Sequence, residues 1–283
     1  MAIVRLLGCL LVTGFSFAQS TQPPPGTDAP TADAIMANVA ANQDRAEILR
    51  KEYVYKQHIH IVTHKPKGRL LREETTDYDV VPMPDGTEKQ LKMITGRYWN
   101  KKEYVTFQGE PVPGTGSLDG GLIQGLRDDL SNEKSKDGLA RNLFPLTTEE
   151  QKKYEFKLLG QATEDGRSVY HIKFRPKDKG DTDWAGEAFI DATDFQPARV
   201  FTKLSHRIPF VVRTMLGTDL PGVGFNVVYK RQQDGVWFPA TFGTEFRLHV
   251  LFFINRDISI ALANTAFEHT HVETRIKMQG SVD

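Results

Sequence analysis

Histidines are the side chains in this sequence with the clearest capacity for chemistry. His58, His60 and His64 alternate along one segment, and His269 and His271 alternate near the C-terminal end. Alternate residues of a strand share one face, so an H-x-H pair can offer two imidazoles to one metal ion. If the two segments pair in a sheet, His58, His60, His269 and His271 predict a metal-binding protein or a metal-dependent enzyme.

The same histidines also fit a plainer interpretation. His58 and His60 alternate with Ile59 and Ile61, as expected of a strand with one face in solvent. A metal site would also require a carboxylate, such as Glu268 or Glu273, to turn towards the imidazoles. We therefore expect no bound metal and keep the metal site as the alternative.

The sequence lacks the motifs of the common enzyme classes. It contains neither a GxSxG elbow nor an HExxH pair. The run Gly114-Thr115-Gly116-Ser117 has neither the GxGxxG spacing nor the Lys-Ser/Thr ending of a phosphate loop. Asp181 and Asp183 suggest a calcium loop, but no glutamate closes it. The sequence thus predicts a non-enzyme without a cofactor.

Charge excludes one class of partner. Lys and Arg number 36, and Asp and Glu also number 36, so the formal net charge is zero. Nucleic-acid binding depends on a basic surface that neutralises phosphates. We therefore expect no nucleic-acid partner.

The first 18 residues have the pattern of a secretory signal peptide. Arg5 precedes an apolar run, and Ser16-Phe17-Ala18 fits a cleavage site. Cys9 is the only cysteine and follows Leu-Leu-Gly, as in a lipid-attachment site, but too short an apolar core precedes it. We expect cleavage after Ala18, no lipid on Cys9, and a periplasmic or exported protein without disulfides.

Beyond a Pro-rich linker at 19–30, residues 31–283 are predicted to form one domain. Thr31 or Asp33 can cap a helix that ends near Arg50, and alternating apolar and polar runs then indicate about ten strands. The strand pattern stops at about 108–151, where a short amphipathic helix is expected. An insertion of this length is typical of a lid, although a packed surface excursion is equally consistent.

Two hairpins organise the strand pattern. Trp184–Leu204 reads as strand, turn and strand, and Gly224–Val250 repeats the pattern around Asp234-Gly235. Alternation over 236–250 predicts one apolar and one polar face. An antiparallel sheet of about ten strands must curl to bury its apolar face. The predicted fold is therefore mainly β: a strongly curved antiparallel half-barrel, with the N-terminal helix and a helical lid on its concave face.

Both hairpins carry motifs that resemble a known group. Gly186-Glu187-Ala188-Phe189-Ile190-Asp191 with Pro197 is similar to the G-x-x-x-I-D…P hairpin of periplasmic lipoprotein carriers. Asp234-Gly235-Val236-Trp237-Phe238-Pro239 is similar to their D-G-x-W-x-P hairpin. The chain thus resembles the outer-membrane lipoprotein-sorting fold of LolA, LolB and RseB.

The resemblance implies a carrier or sensor that binds a lipid or lipoprotein acyl chain in an apolar cavity, without covalent chemistry. It also allows a regulatory domain with a membrane-associated protein partner. The strands are expected to line the cavity with Tyr170, Phe174, Phe201, Phe225, Tyr229, Phe238, Phe242 and Phe246. The lid is expected to contribute Leu122, Ile123 and Leu126, and the apolar segment 206–222 is a second lid candidate.

Overall fold

The computed structural model describes residues 30–66, 68–83, 86–109, 117–131, 144–178, 184–204, 224–250 and 254–270. The expected signal peptide, residues 19–29 of the linker, the 206–222 segment and His271 lie outside these residues, as does much of the 108–151 insertion.

One antiparallel sheet forms the body of the protein. In the described part of the chain it has eleven strands in the order β4-β3-β2-β1-β11-β10-β9-β8-β7-β6-β5, and it does not close on itself. The fold class expected from the sequence, a curved half-barrel with flanking helices, is confirmed. The strands are Tyr53–His64 (β1), Leu70–Met83 (β2), Gly86–Trp99 (β3), Tyr104–Gln108 (β4), Tyr154–Glu164 (β5), Arg167–Pro176 (β6), Trp184–Asp191 (β7), Pro197–Leu204 (β8), Gly224–Arg231 (β9), Trp237–Val250 (β10) and Ile254–His269 (β11).

The sequence suggests a strand region at 91–107 with Asn100 as a possible turn point, and further strands at 257–262 and 267–276. The first region consists of β3 and β4, because Asn100 Oδ1 accepts the backbone N–H groups of Lys102 and Glu103, each at 2.9 Å, and turns the chain. The other two runs differ from the prediction, since their described residues belong to the single strand β11. A local irregularity near Ala266, with φ 51°, falls inside that strand and does not end it.

Three helices lie within the described residues: Ala32–Arg50 (α1), Leu118–Ser131 (α2) and Thr148–Gln151 (α3). Thr31 caps α1 as expected, since its Oγ1 accepts the backbone N–H of Ala34 at 3.2 Å. In the described part of the chain, no helix is long and apolar enough to cross a membrane.

The helices cover one face of the sheet, which is its concave face. α1 makes its main sheet contacts with β5 and β10, and α2 makes its own with β1 and β2. Ile35, Met36 and Val39 of α1 are fully buried, as is Ile123 of α2. Burying such side chains contributes about 1.5–3 kcal/mol each. This shared core therefore holds both helices on the concave face.

The turns of the recognised hairpins are fixed by hydrogen bonds. Asp191 Oδ1 accepts the backbone N–H groups of Thr193 and Asp194 at 2.9 and 2.7 Å, which closes the β7–β8 turn. A Cβ atom at Gly186 would lie 2.0 Å from the carbonyl oxygen of Phe201. Only glycine permits this approach of β7 to β8, and the glycine and aspartate of the first motif therefore have structural roles.

Candidate functional site

Four aromatic side chains lie in a row on the concave face, beginning at Trp184. The ring centroids of Trp184 and Phe225 are 4.6 Å apart, and those of Phe225 and Phe242 are 5.2 Å apart. Phe246 lies four residues after Phe242 on the same face of β10. We call Trp184, Phe225, Phe242 and Phe246 the aromatic row. Phe242 is buried, whereas the other three rings are only half-buried.

Two buried hydroxyls lie on either side of Phe225. Phe225 on β9 pairs with Thr202 on β8 and with Thr244 on β10, so the three side chains share one line across the concave face. The Oγ1 atoms of Thr202 and Thr244 are buried and have no hydrogen-bond partner in the described structure. Buried hydroxyls are normally paired, because an unpaired one loses its hydration without compensation. The surface around Phe225 is therefore more polar than an ordinary core.

A cavity of about 540 Å³ lies on the outer face of the sheet, across β1, β11 and β10. Its lining includes Val62, His64, Glu245, Arg247, Asp257 and Ser259, which occupy the outward positions of these strands, and the ion pair of Arg247 and Asp257 belongs to it. This cavity is therefore not part of the helix-covered concave face.

The predicted lid helix is present as α2. Leu122 and Leu126 are half-buried against the core that also contains the aromatic row, while Ile123 is fully buried. Leu122 and Leu126 can therefore contact a ligand on this face, and Ile123 anchors the helix.

Three other predicted lining residues, Phe174, Tyr229 and Tyr170, differ in how far they are buried. Phe174 is fully buried and lies 5.0 Å from the ring of Phe144, and Tyr229 is buried as well. Tyr170 is half-buried and stacks on Phe195 at 6.1 Å. Phe174 and Tyr229 thus support the concave face from within the core.

Phe201 lies on the opposite, outer face, so the expectation that it shares the lining is wrong. On β8 the inward positions are Val200 and Thr202, which leaves Phe201 outward and 51% exposed. Phe238 is buried, and on β10 the pairing with β9 shifts by one residue at Ala240, between Phe238 and Phe242.

Phe238 instead belongs to a second aromatic cluster. Its ring centroid lies 4.9 Å from Tyr53 and 4.6 Å from Phe267. Val236 completes this cluster, which is separate from the main core. The alternation over 236–250 thus holds only after the shift at Ala240.

Charged residues that the sequence analysis missed lie beneath α2. Arg127 of α2 donates from Nη1 to Glu74 Oε1 at 2.8 Å, and Arg72 donates from Nη2 to Glu74 Oε2 at 3.2 Å. At the start of α2, Arg256 forms two bonds to Asp119, of 2.5 and 3.1 Å. All five side chains are largely buried. Ion pairs as well as apolar contacts therefore fix α2 to the sheet.

The end of α2 is also held by polar contacts. Lys89 Nζ donates to the carbonyl oxygen of Leu130 at 2.9 Å. Burial raises the pKa of Tyr78 even though its hydroxyl bonds to Ser131. Tyr78 is therefore neutral at physiological pH, and α2 is held at both ends.

The three described histidines of the predicted metal site do not come together in the sheet. His58 and His60 lie on the outer face of β1, and His269 of β11 lies opposite Tyr53 at the beginning of β1. Five residues separate Tyr53 from His58, which is about 16 Å at 3.3 Å per residue. Among the described residues, no group of three or more His, Cys, Asp or Glu side chains could hold a metal ion.

Each of two histidines already has a carboxylate partner. His58 Nδ1 lies 2.5 Å from Asp77 Oδ1, and His269 Nε2 lies 3.0 Å from Glu52 Oε2. The two pairs are separate and partly exposed: the first lies on the outer face of β1 and β2, and the second lies at the beginning of β1. The arrangement favours the interpretation of these histidines as a solvent-facing strand surface.

Comparisons with known proteins give likenesses of fold. No family model matches the sequence, and no curated protein matches it. Among solved structures, a DUF1329 family protein from Desulfovibrio piger is 11% identical, with 85% of this chain and 94% of that chain covered and a TM-score of 0.38. A LolA superfamily protein from Nitrosomonas europaea is 12% identical, with 86% and 96% covered and a TM-score of 0.34.

A putative outer membrane lipoprotein-sorting protein domain from Vibrio parahaemolyticus is 13% identical, with 84% of this chain and 94% of that chain covered and a TM-score of 0.33. The group that the two hairpin motifs resemble is thus represented among these structures. With TM-scores below 0.5, these likenesses carry no argument about ligand, partner or activity.

Proposed function

We propose that this protein is an exported carrier or sensor that binds a lipid, or the acyl chain of a lipoprotein, on the concave face of its sheet. The observation that carries the proposal is the aromatic row, in which Trp184, Phe225 and Phe246 remain half-buried on the helix-covered face. Aromatic side chains on such a face are usually buried completely or covered by a partner. An apolar chain would complete their burial.

The unpaired hydroxyls refine the kind of ligand. Thr202 and Thr244 flank Phe225 with buried oxygens that lack partners in the described structure. A pure hydrocarbon would leave these hydroxyls unpaired, whereas the carbonyl oxygen of an ester or amide group beside an acyl chain could accept hydrogen bonds from them. The site therefore favours an acylated, amphiphilic ligand.

The expected affinity is moderate. Burying about fifteen methylenes of a long acyl chain gives about 12 kcal/mol gross. Lost translational freedom and ordering of the lid oppose this by roughly 4 kcal/mol or more. Binding at micromolar concentration is therefore the strongest result we expect for a single chain. Such an affinity suits a protein that must also release its ligand.

No residue is assigned a covalent role. The binding step requires burial of the acyl chain against the aromatic row, with Leu122 and Leu126 of α2 beside it. The partner in this proposal is a free lipid or an acylated lipoprotein, and a membrane-associated protein would deliver or receive it. The metal-dependent alternative is less well supported, because His58, His60 and His269 are apart.

The test is titration of the purified domain with a fluorescent fatty-acyl probe. Saturable binding at micromolar probe, displaced by an unlabelled acyl compound, is the expected result. Native mass spectrometry of protein recovered from its own host would show a retained lipid of defined mass. If the probe shows no saturable uptake and the recovered protein carries no lipid, the proposal is wrong.

A further inference from the structure

Arg72 is buried with much of its hydrogen-bonding capacity unused. The residue is 5% exposed. Arginine carries five N–H donors, yet the Nε–H of Arg72 has no partner in the described structure, and its one hydrogen bond goes from Nη2 to Glu74 at 3.2 Å. A buried guanidinium with free donors has lost hydration that its protein neighbours do not replace.

The carboxylate of Glu74 must serve two cations. Arg127, which is 7% exposed, makes the shorter bond to Glu74, at 2.8 Å. The neighbouring pair of Asp119 and Arg256 is neutral by itself. Arg127 has a second, exposed carboxylate beside it, because its Nε lies 3.7 Å from Asp128 Oδ1. Arg72 has only its share of Glu74, and a buried cation with incomplete pairing is unfavourable.

In the described part of the chain, two aromatic rings and a glycine also lie close to the guanidinium of Arg72. Its guanidinium carbon lies 4.5 Å from the ring centre of Phe107 and 5.7 Å from that of Tyr98. On the side of α2 the neighbour is Gly120, where a Cβ atom would lie 3.5 Å from Nη1. Ring faces attract a cation but leave its N–H groups free. An anion with several oxygens, such as a phosphate or carboxylate, would pair with these N–H groups.

Strand pairing connects Arg72 with the aromatic row. Arg72 on β2 pairs with Thr63 on β1, Thr63 pairs with Ile258 on β11, and Ile258 pairs with Phe246 on β10. The four side chains share the concave face. Three strand spacings separate Arg72 from Phe246, which is about 14 Å. A single amphiphile can extend over that distance.

We propose that Arg72 binds the anionic head group of the ligand, a phosphate or a carboxylate, while the acyl chain lies on the aromatic row. This inference rests on the proposed function and adds the chemical class of the head group. Arg72 is then the residue that discriminates anionic amphiphiles from neutral ones. Arg127 remains paired with Glu74 and holds α2 in place.

The experiment compares two competitors of equal chain length. Dodecyl phosphate and dodecanol are each used to displace the fluorescent acyl probe from the whole domain. We expect dodecyl phosphate to bind at least about tenfold more tightly than dodecanol, a difference that corresponds to about 1.4 kcal/mol. Arg72→Gln should reduce this ratio to near one and leave dodecanol binding unchanged. Arg72→Lys, which keeps the charge but loses the fork of donors, should retain part of the ratio.

The matched control is Arg97→Gln. Arg97 lies on the neighbouring strand β3 but faces outward, with Nε 2.6 Å from Glu73 and 46% of its side chain exposed. It should keep the wild-type ratio. The ratio measured for the wild type tests the proposal even if Arg72→Gln does not fold.

Three outcomes would overturn the proposal. In the first, both competitors bind the wild type equally, which leaves the acyl site intact. In the second, Arg72→Gln weakens both competitors alike, which makes Arg72 a structural residue. In the third, inorganic phosphate alone saturates the site and dodecyl phosphate gains nothing over dodecanol, which makes the site a free-anion site. Failure of every amphiphile to bind would instead refute the proposed function.

Discussion

The indole Nε1 of Trp237 donates a hydrogen bond of 3.0 Å to Oδ2 of Asp194. This bond joins the β9–β10 hairpin to the β7–β8 turn, and these are the two hairpins whose motifs resemble the lipoprotein carriers. The same carboxylate accepts from Arg231 at 2.8 Å and from Arg167 at 3.2 Å. The tryptophan of the second motif therefore connects the two hairpins, which explains its place in a structural motif.

Replacement of Trp237 by Phe should cost about 1 kcal/mol of unfolding free energy. The change keeps most of the buried ring and removes one hydrogen bond, whose net contribution is of that order. Urea denaturation measures the difference. Trp184→Phe is the control, because Trp184 is half-buried on β7 and contacts Phe225 rather than Asp194. An equal loss in both variants would mean that the bond to Asp194 contributes nothing particular.

Asp191 should stabilise the fold only above its pKa. Burial alone would raise that pKa, but the hydrogen bonds from Arg167 and from the backbone N–H groups of Asp194 and Thr193 outweigh burial and hold it below its usual value. A carboxyl group with a lowered pKa adds stability above its unfolded value of about 3.9 and loses it as the pH falls further. Asp191→Asn should therefore cost about 1.5–3 kcal/mol at pH 7.

That difference between the wild type and Asp191→Asn should stay constant from pH 7 to about pH 5 and shrink below about pH 3.9. Thermal unfolding across this range measures it. The control is Asp257→Asn, whose partner Arg247 is 41% exposed. Exposed pairs contribute about 0–1 kcal/mol, so the control should change little. A difference for Asp191→Asn that persists undiminished to pH 2 would contradict this assignment.

The ion pairs beneath α2 should be costly to break and easy to replace. Glu74→Ala would leave Arg72 and Arg127 buried without their carboxylate, which should cost about 3–5 kcal/mol. Replacing Arg72, Glu74 and Arg127 together by Met, Leu and Met should be neutral or stabilising, since the only buried charges left beneath α2 in the described part of the chain would be the paired Asp119 and Arg256. Chemical denaturation of the two variants tests this. A small loss for Glu74→Ala would show that water reaches the group.

Export is tested at the N-terminus. We expect the mature chain to begin at Gln19, because Ser16-Phe17-Ala18 fits a cleavage site. Intact mass analysis of the exported protein measures the start directly. A diacylglyceryl group on Cys9 would instead identify a membrane-anchored lipoprotein and contradict a carrier that is free in solution.

Local sequence signals predicted much of the fold. The run Glu164-Asp165-Gly166-Arg167 is typical of a turn, and it joins β5 to β6 with positive φ at Asp165 and Gly166, of 48° and 78°. Thr31 caps α1, since its Oγ1 accepts the backbone N–H of Ala34. Both features depend on residue types close together in the chain. The bonds from Asn42 to Asp194 O and from Gln43 to Gln196, each at 2.9 Å, join residues 152 and 153 positions apart, and no local signal predicts them.

The site was less predictable, because register decides which side chains face inward. The residue types around Ala240 do not predict the register shift between β10 and β9 that separates Phe238 from Phe242. On β2, Arg72 and Glu74 carry charges that are more usual on a solvent-facing side of a strand. Tyr78 and Val80 continue the same alternate positions and are buried, and this was the available sign that the charged positions face inward.

The central claim is that the half-buried aromatic residues of the concave face bind an acyl chain, and Phe225 and Phe201 test it most directly. Phe225 belongs to the aromatic row, whereas Phe201 of the adjacent strand faces outward and is 51% exposed. Phe242 is buried, so Phe242→Ala should cost about 3–5 kcal/mol of stability and serves as the core reference.

The measurement is the dissociation constant of the fluorescent fatty-acyl probe for Phe225→Ala and for Phe201→Ala, each checked for its unfolding midpoint. We predict that Phe225→Ala weakens binding about tenfold, or about 1.4 kcal/mol, with a smaller stability loss than Phe242→Ala, and that Phe201→Ala binds as the wild type does. Equal affinities for Phe225→Ala and Phe201→Ala would contradict an acyl-binding concave face.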